Sequence, residues 1–178
     1  MNYYVSRNGF ELKMAYSIII PHVLLLLLHF VPMQTSADQI SEAQKKQFVE
    51  VLRTLPQRGE FFTEDAVKTA GPYLPVLFAL TDKDIEGYDI YPFMAISRGL
   101  CDVKEYRLYA NNHFADIHHS QLKLFWAAML FEGSNPSPQI VTYLKLALKS
   151  DTQAKLLAEM AGSDYEDLKR RIEAAGKH

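Results

Sequence analysis

The densest run of side chains able to do chemistry is Asn111-Asn112-His113-Phe114-Ala115-Asp116-Ile117-His118-His119. Imidazole nitrogens and carboxylate oxygens bind zinc and move protons, so such a run invites a metal site. His113, Asp116 and His119 recur at every third position. On a helix each such step turns by about sixty degrees, which carries the outer two apart around the axis. The helical zinc signature of two histidines flanking a Glu one turn apart is absent. A small metal-dependent hydrolase using His113, Asp116, His118 and His119 is one reading of this run. Capping and surface hydrogen bonding at a helix start is the other.

A second set is aromatic and cationic: Tyr88, Tyr91, Arg98, Tyr106, Arg107 and Tyr109. Tyr and Arg are favoured as interface anchors, because they bring area and hydrogen bonds at low entropic cost. They point to a face that binds a protein or peptide. The competing readings are tyrosines packed at helix edges and an Arg98–Asp102 pair one helical turn apart. No Ser-His-Asp order, phosphate loop or carboxylate pair stands out, and no cofactor is implied. The favoured function is therefore non-enzymatic binding, with the metal hydrolase as the alternative.

These residues have to be held by helices. Residues 120–132, SQLKLFWAAMLFE, place apolar side chains on nearly every side of a helical wheel. Such a helix must be covered by neighbours on most sides, since a surface helix needs a polar stripe. It is too short and too closely flanked by charge to span a bilayer. Gly133 is expected to end it in a left-handed cap, ahead of the Asn-Pro and Ser-Pro steps. A start as early as Asp116 is open.

Around this hub nearly every segment reads as helix. Residues 41–55 put Phe48, Val49, Val51, Leu52 and Leu55 on one side and stop before Pro56, with 57–60 as a loop. Thr63 caps 64–70 and Gly71 ends it. Residues 72–81 are apolar, with regular helix from about Pro75. A polar connection containing Gly87 leads to 90–100, then to a charged helix over 103–110. Ser137 is expected to cap 138–149, and Asp151 to cap 152–161, which Gly162 closes. Ser163 and Glu166 form an expected capping box for a last helix ending near Gly176. Its Tyr165, Leu168 and Ile172 make a narrow apolar stripe. No stretch alternates with a period of two, so the domain reads as all-α.

The chain of 178 residues carries a formal charge of −2. It has no large basic field, which argues against nucleic acid as a partner. Arg7 and Lys13 precede a short apolar run, Ile18–Ile20 and Val23–Leu28, and Thr35-Ser36-Ala37 follows it. Positive flank, apolar centre and small-residue exit make a secretory signal peptide over residues 1–37, with Met14 as an alternative start. The mature domain, 38–178, is then periplasmic or secreted. An uncleaved membrane anchor is the alternative, against which Pro21, His22 and His29 count. Cys101 is the one cysteine. An internal disulfide is impossible, and the residue reads as a small buried apolar group.

FMAISRG, FWAAMLF and LLAEMAG, at 93–99, 125–131 and 156–162, align with Ala95, Ala127 and Ala158 in one column. Each follows an apolar helix and a polar turn. This pattern resembles the HEAT-like family of α-solenoids, most closely over 136–162. The resemblance implies a right-handed stack of short antiparallel helix pairs, here at about 72–102, 103–135 and 136–162, flanked by capping helices. Stacked pairs bury together a face that none can bury alone. The family's basic residue early in the second helix is not clearly present, and Ile85–Tyr88 expand the first turn. An irregular helical bundle is the alternative.

Overall fold

The computed structural model describes residues 39–55, 57–58, 61–133 and 136–175. The expected signal peptide and its exit at Ala37 lie outside the described residues, as do Pro56 and Gly176. In chain order come α1 (Glu42–Leu52), β1 (Gln57–Arg58), β2 (Phe61–Phe62), α2 (Glu64–Ala70) and α3 (Leu74–Ala79). After a turn-rich connection follow α4 (Tyr91–Asp102), α5 (Lys104–Asn112), α6 (Ser120–Glu132), α7 (Pro138–Ala147), α8 (Asp151–Ala161) and α9 (Tyr165–Ala174). The domain is all-α. Among the described residues the one departure is the two-residue antiparallel pair β1–β2, Gln57 opposite Phe62, where the sequence suggests only a loop.

Local chemistry sets most helix starts. Ser41 and Gln44 form a reciprocal capping box, Gln44 N–H donating to Ser41 Oγ at 3.3 Å and Ser41 N–H to Gln44 Oε1 at 2.9 Å. Thr63 Oγ1 accepts from Ala66 N–H at 3.3 Å, as its position before two acidic residues predicts. Pro75 and Pro92 occupy first turns, where a missing N–H costs nothing.

Four local expectations are corrected. Ser150, not Asp151, caps α8, accepting from Gln153 N–H. Ser137 makes no side-chain cap; its N–H instead donates to Asn111 Oδ1 at 3.0 Å, tying the start of α7 to the end of α5. The Ser163–Glu166 box does not form, because residues 162–164 tighten into a 3-10 turn that leads straight into α9. Gly133 ends α6 with φ −76°, an ordinary right-handed value, so no left-handed cap is present there.

The hub helix behaves as its composition demands. Leu122, Leu124, Trp126, Ala127 and Leu130 of α6 are buried. It packs against α4, α5, α7 and α8, and its contact with α7 is the most extensive between any two elements. Trp126 is wholly enclosed, with Phe78 of α3 edge-on at 5.4 Å between ring centroids. α4 packs on α2, α5 and α6, while α9 covers α7 and α8. The second helices of the three aligned segments therefore touch in succession, α4 on α6 and α6 on α8. Their burial is one residue out of step with the aligned columns, since Phe93, Trp126 and Leu157 are the enclosed positions while Phe125 and Leu156 are half-buried.

One tertiary tie has no sequence signature. Lys45 of α1 is almost buried, and its ammonium lies 2.8 Å from Glu42 and 3.4 Å from Asp84. Asp84 also accepts from Thr81 N–H at 2.7 Å and Thr81 Oγ1 at 2.8 Å. Buried charges need such pairing. This one fastens α1 to the connection between α3 and α4.

Candidate functional site

The histidine run folds as a corner between α5 and α6, with a 3-10 turn over Phe114–Asp116. The corner pairs two of the four candidate ligands with each other and sends the other two elsewhere. His113 Nδ1 lies 3.0 Å from Asp116 Oδ2, and its ring stacks on Tyr109 with centroids 4.2 Å apart. His119 is buried and caps α6, its Nδ1 accepting from Leu122 N–H at 3.3 Å. Its Nε2 lies 3.4 Å from Asp82 Oδ1, which also accepts from Ser120 N–H and Oγ. His118 is exposed, and its backbone N–H donates to Phe78 carbonyl at 2.9 Å. Among the described residues no three His, Cys, Asp or Glu side chains are grouped so as to hold a metal ion.

The electrostatics of this corner follow from burial. Desolvation lowers the affinity of His119 for a proton, outweighing the attraction of Asp82. That favours the neutral ring which the cap requires. Burial, reinforced by Asp116, pushes the Tyr109 hydroxyl up to about 12, so it stays protonated. Lys123 is lowered by desolvation against the pull of Asp116, and its ammonium donates to Ala115 carbonyl.

The aromatic and cationic set does not form one face. Tyr88 donates to Glu50 Oε1 at 3.1 Å and carries the Arg53 guanidinium over its ring. Tyr91 opens α4 and is 73% exposed. Tyr109 is half-buried between Phe78 and His113. Tyr106 is a core residue, not a surface anchor. Its ring lies against Gly71, where an added Cβ would come within 2.1 Å of the ring edge. Helical spacing gives these residues a common side only within one helix; Tyr88 precedes α4 and belongs to the α1 surface.

Arg98 and Arg107 do converge. Both line a groove of about 440 Å³ where the C-terminal halves of α4, α6 and α8 come together beside α5 and α9. Its apolar wall is Phe125, Ala128 and Met129 of α6 with Leu157 and Met160 of α8. Three exposed carboxylates, Asp102, Glu132 and Asp164, stand at its edges. Cys101 also reaches it; burial pushes this thiol up to about 11, with Arg107 opposing weakly, so it offers no anion. Gly133 closes the end of α6 beneath Arg107, where an added Cβ would stand 3.3 Å from Arg107 Cδ.

Sequence reasoning finds the two arginines but misses Phe125, Met129 and Met160 as groove residues. They are ordinary members of apolar helices, and only their incomplete burial distinguishes them. Among the described residues no helix is long and apolar enough to cross a membrane. Comparison of the chain with protein families, with curated proteins and with solved structures finds no match.

Proposed function

We propose that the protein is an exported, non-enzymatic helical-repeat module that binds a protein or peptide partner in the groove between α4, α6 and α8. The observation that carries this reading is the meeting of Arg98 and Arg107 with a half-exposed apolar wall of Phe125, Met129 and Met160. Concave sites combine apolar walls with placed polar groups; this groove sets its apolar side chains within an exposed lining that is more polar than apolar. What supports the HEAT-like stack is the succession of α4 on α6 and α6 on α8. What supports export is the leader pattern over residues 1–37. With a net charge of −2, nucleic acid has no part in this reading, and the membrane enters it only through the N-terminal segment if that stays uncleaved.

The test is a capture experiment with purified domain 38–178 as bait and extracellular or periplasmic extract from the native host. Bait carrying Arg107→Glu and Met129→Asp should lose the captured protein, while circular dichroism stays unchanged. Equal recovery on both baits would place the partner elsewhere. The same purification from the native host should yield a chain beginning at Asp38; an intact chain retaining 24–28 would mean an anchor.

A further inference from the structure

Among the groove's charges, Arg107 is the enclosed one. Arg98, Asp102, Glu132 and Asp164 are exposed, whereas Arg107 is half-buried, its stem packed beside Gly133. It takes part in none of the salt bridges among the described residues. A guanidinium partly withdrawn from water and without a carboxylate partner gains most from an incoming carboxylate, in a charge-assisted and often bidentate hydrogen bond. Cys101 beside it stays a neutral thiol and cannot fill that role.

Three of the four exposed charges at the groove have the opposite sign, Arg98 being the fourth. Asp102 and Glu132 are the last residues of α4 and α6, and Asp164 lies three residues beyond α8. Helix C-termini already carry partial negative charge, so Asp102 and Glu132 add to it instead of neutralising it, whereas Asp164 is the N-cap of α9, where the dipole favours an acid. None of the three is in a salt bridge among the described residues. Exposed rim charges of this kind steer and select a partner more than they hold it. A volume of about 440 Å³ admits a few side chains and not a broad protein face.

Resting on the peptide-binding reading above, we infer that the groove's occupant is a short peptide segment with one carboxylate among apolar residues and basic residues flanking them. The carboxylate pairs with Arg107, the apolar side chains lie on Phe125, Met129 and Met160, and the basic flanks meet Asp102, Glu132 and Asp164.

Three acetylated and amidated fluorescent peptides test this: Lys-Leu-Leu-Glu-Leu-Leu-Lys, the same with Gln at its centre, and the charge-reversed Glu-Leu-Leu-Lys-Leu-Leu-Glu. Anisotropy with domain 38–178 should show the central-Glu peptide binding about tenfold or more tighter than the central-Gln peptide, the size of one charge-assisted bond. Arg107→Glu should reverse the preference in favour of the central-Gln peptide, whose basic flanks still meet the three acids. Arg107→Gln, which keeps a polar side chain of similar reach, should remove the Glu-over-Gln difference and serves if the reversal disturbs folding. Equal binding of the Glu and Gln peptides, or tighter binding of the charge-reversed peptide to the unmodified domain, overturns the anchor assignment. In that case amide shifts confined to Met129, Met160 and their neighbours would leave the peptide-binding reading standing. No binding and no shifts with any of the three overturns both.

Discussion

Two regions bring chemically capable side chains close together, and they differ in what those side chains do. At the corner between α5 and α6, His113 pairs with Asp116, His119 with a backbone N–H and Asp82, and Lys123 with a carbonyl. These groups are occupied in holding the turn, while the His118 side chain is exposed. In the groove, Arg107 and three carboxylates stand in no salt bridge among the described residues, over a wall of partly exposed apolar side chains. Clustering in sequence thus marks a structural device. Convergence from five helices sets the proposed binding groove apart from that corner.

Both regions depend on one buried side chain. Trp126 belongs to the helix that joins the corner to the groove, and it is fully buried against Phe78. Trp126→Ala is expected to cost about 3–5 kcal/mol, because the cavity adds to the lost transfer energy. Urea denaturation measures it, and a midpoint shift too small to detect would move the core elsewhere. Gly71→Ala is the next largest. The new methyl would collide with the buried Tyr106 ring, and overpacking of this kind costs about 1–3 kcal/mol. Thermal denaturation of Gly71→Ala with Tyr106→Phe should show whether the clash lies with the hydroxyl or with the ring itself.

His119 separates a structural corner from a catalytic one. His119→Ala removes the cap of α6 and should cost about 1 kcal/mol, while His119→Asn keeps an acceptor and should cost less. Its proton affinity is lower folded than unfolded, so above the ordinary histidine pKa of 6.5 both states are neutral and the contribution is whole. As pH falls below 6.5 the unfolded chain takes up the proton first, and stability declines until the folded-state pKa is passed. Chemical denaturation between pH 7.5 and 5 should show this slope weakened in His119→Asn. A hydrolase reading would instead expect loss of bound metal and activity from His113→Ala with His119→Asn, checked by metal analysis of the purified protein.

The smallest effects belong to the surface. Tyr91→Ala and His118→Ala remove exposed side chains and should change stability by no more than about 0.5 kcal/mol. Tyr91→Ala should also leave peptide binding unchanged, since Tyr91 does not line the groove. A loss of binding there would extend the site toward the start of α4.

Much of the fold is legible because its causes are local. Ser41 with Gln44, Thr63 before Glu64-Asp65, Pro75 and Pro92 in first turns, and Gly162 with φ +55° after α8 act within one turn of themselves. The all-round apolar wheel of residues 120–132 is equally local, and it demands a covered helix wherever that helix lies. Reading fails where two candidate devices compete over a few residues. Asp151 gives way to Ser150, and the Ser163 box to a 3-10 turn, because cap geometry depends on how the chain arrives from the preceding helix.

The sequence by itself determines an all-α chain, its hub helix and most of its helix boundaries, because helix periodicity, capping and proline placement are properties of neighbouring residues. Only the tertiary structure decides that Tyr106 is enclosed against Gly71, that Lys45 pairs with Asp84, and that Arg107, Met129 and Met160 line one groove. Those relations join residues tens of positions apart. They exist only once helix crossing and register are fixed by the packing of α4, α6 and α8, and no local pattern encodes which ends of three helices come to lie side by side.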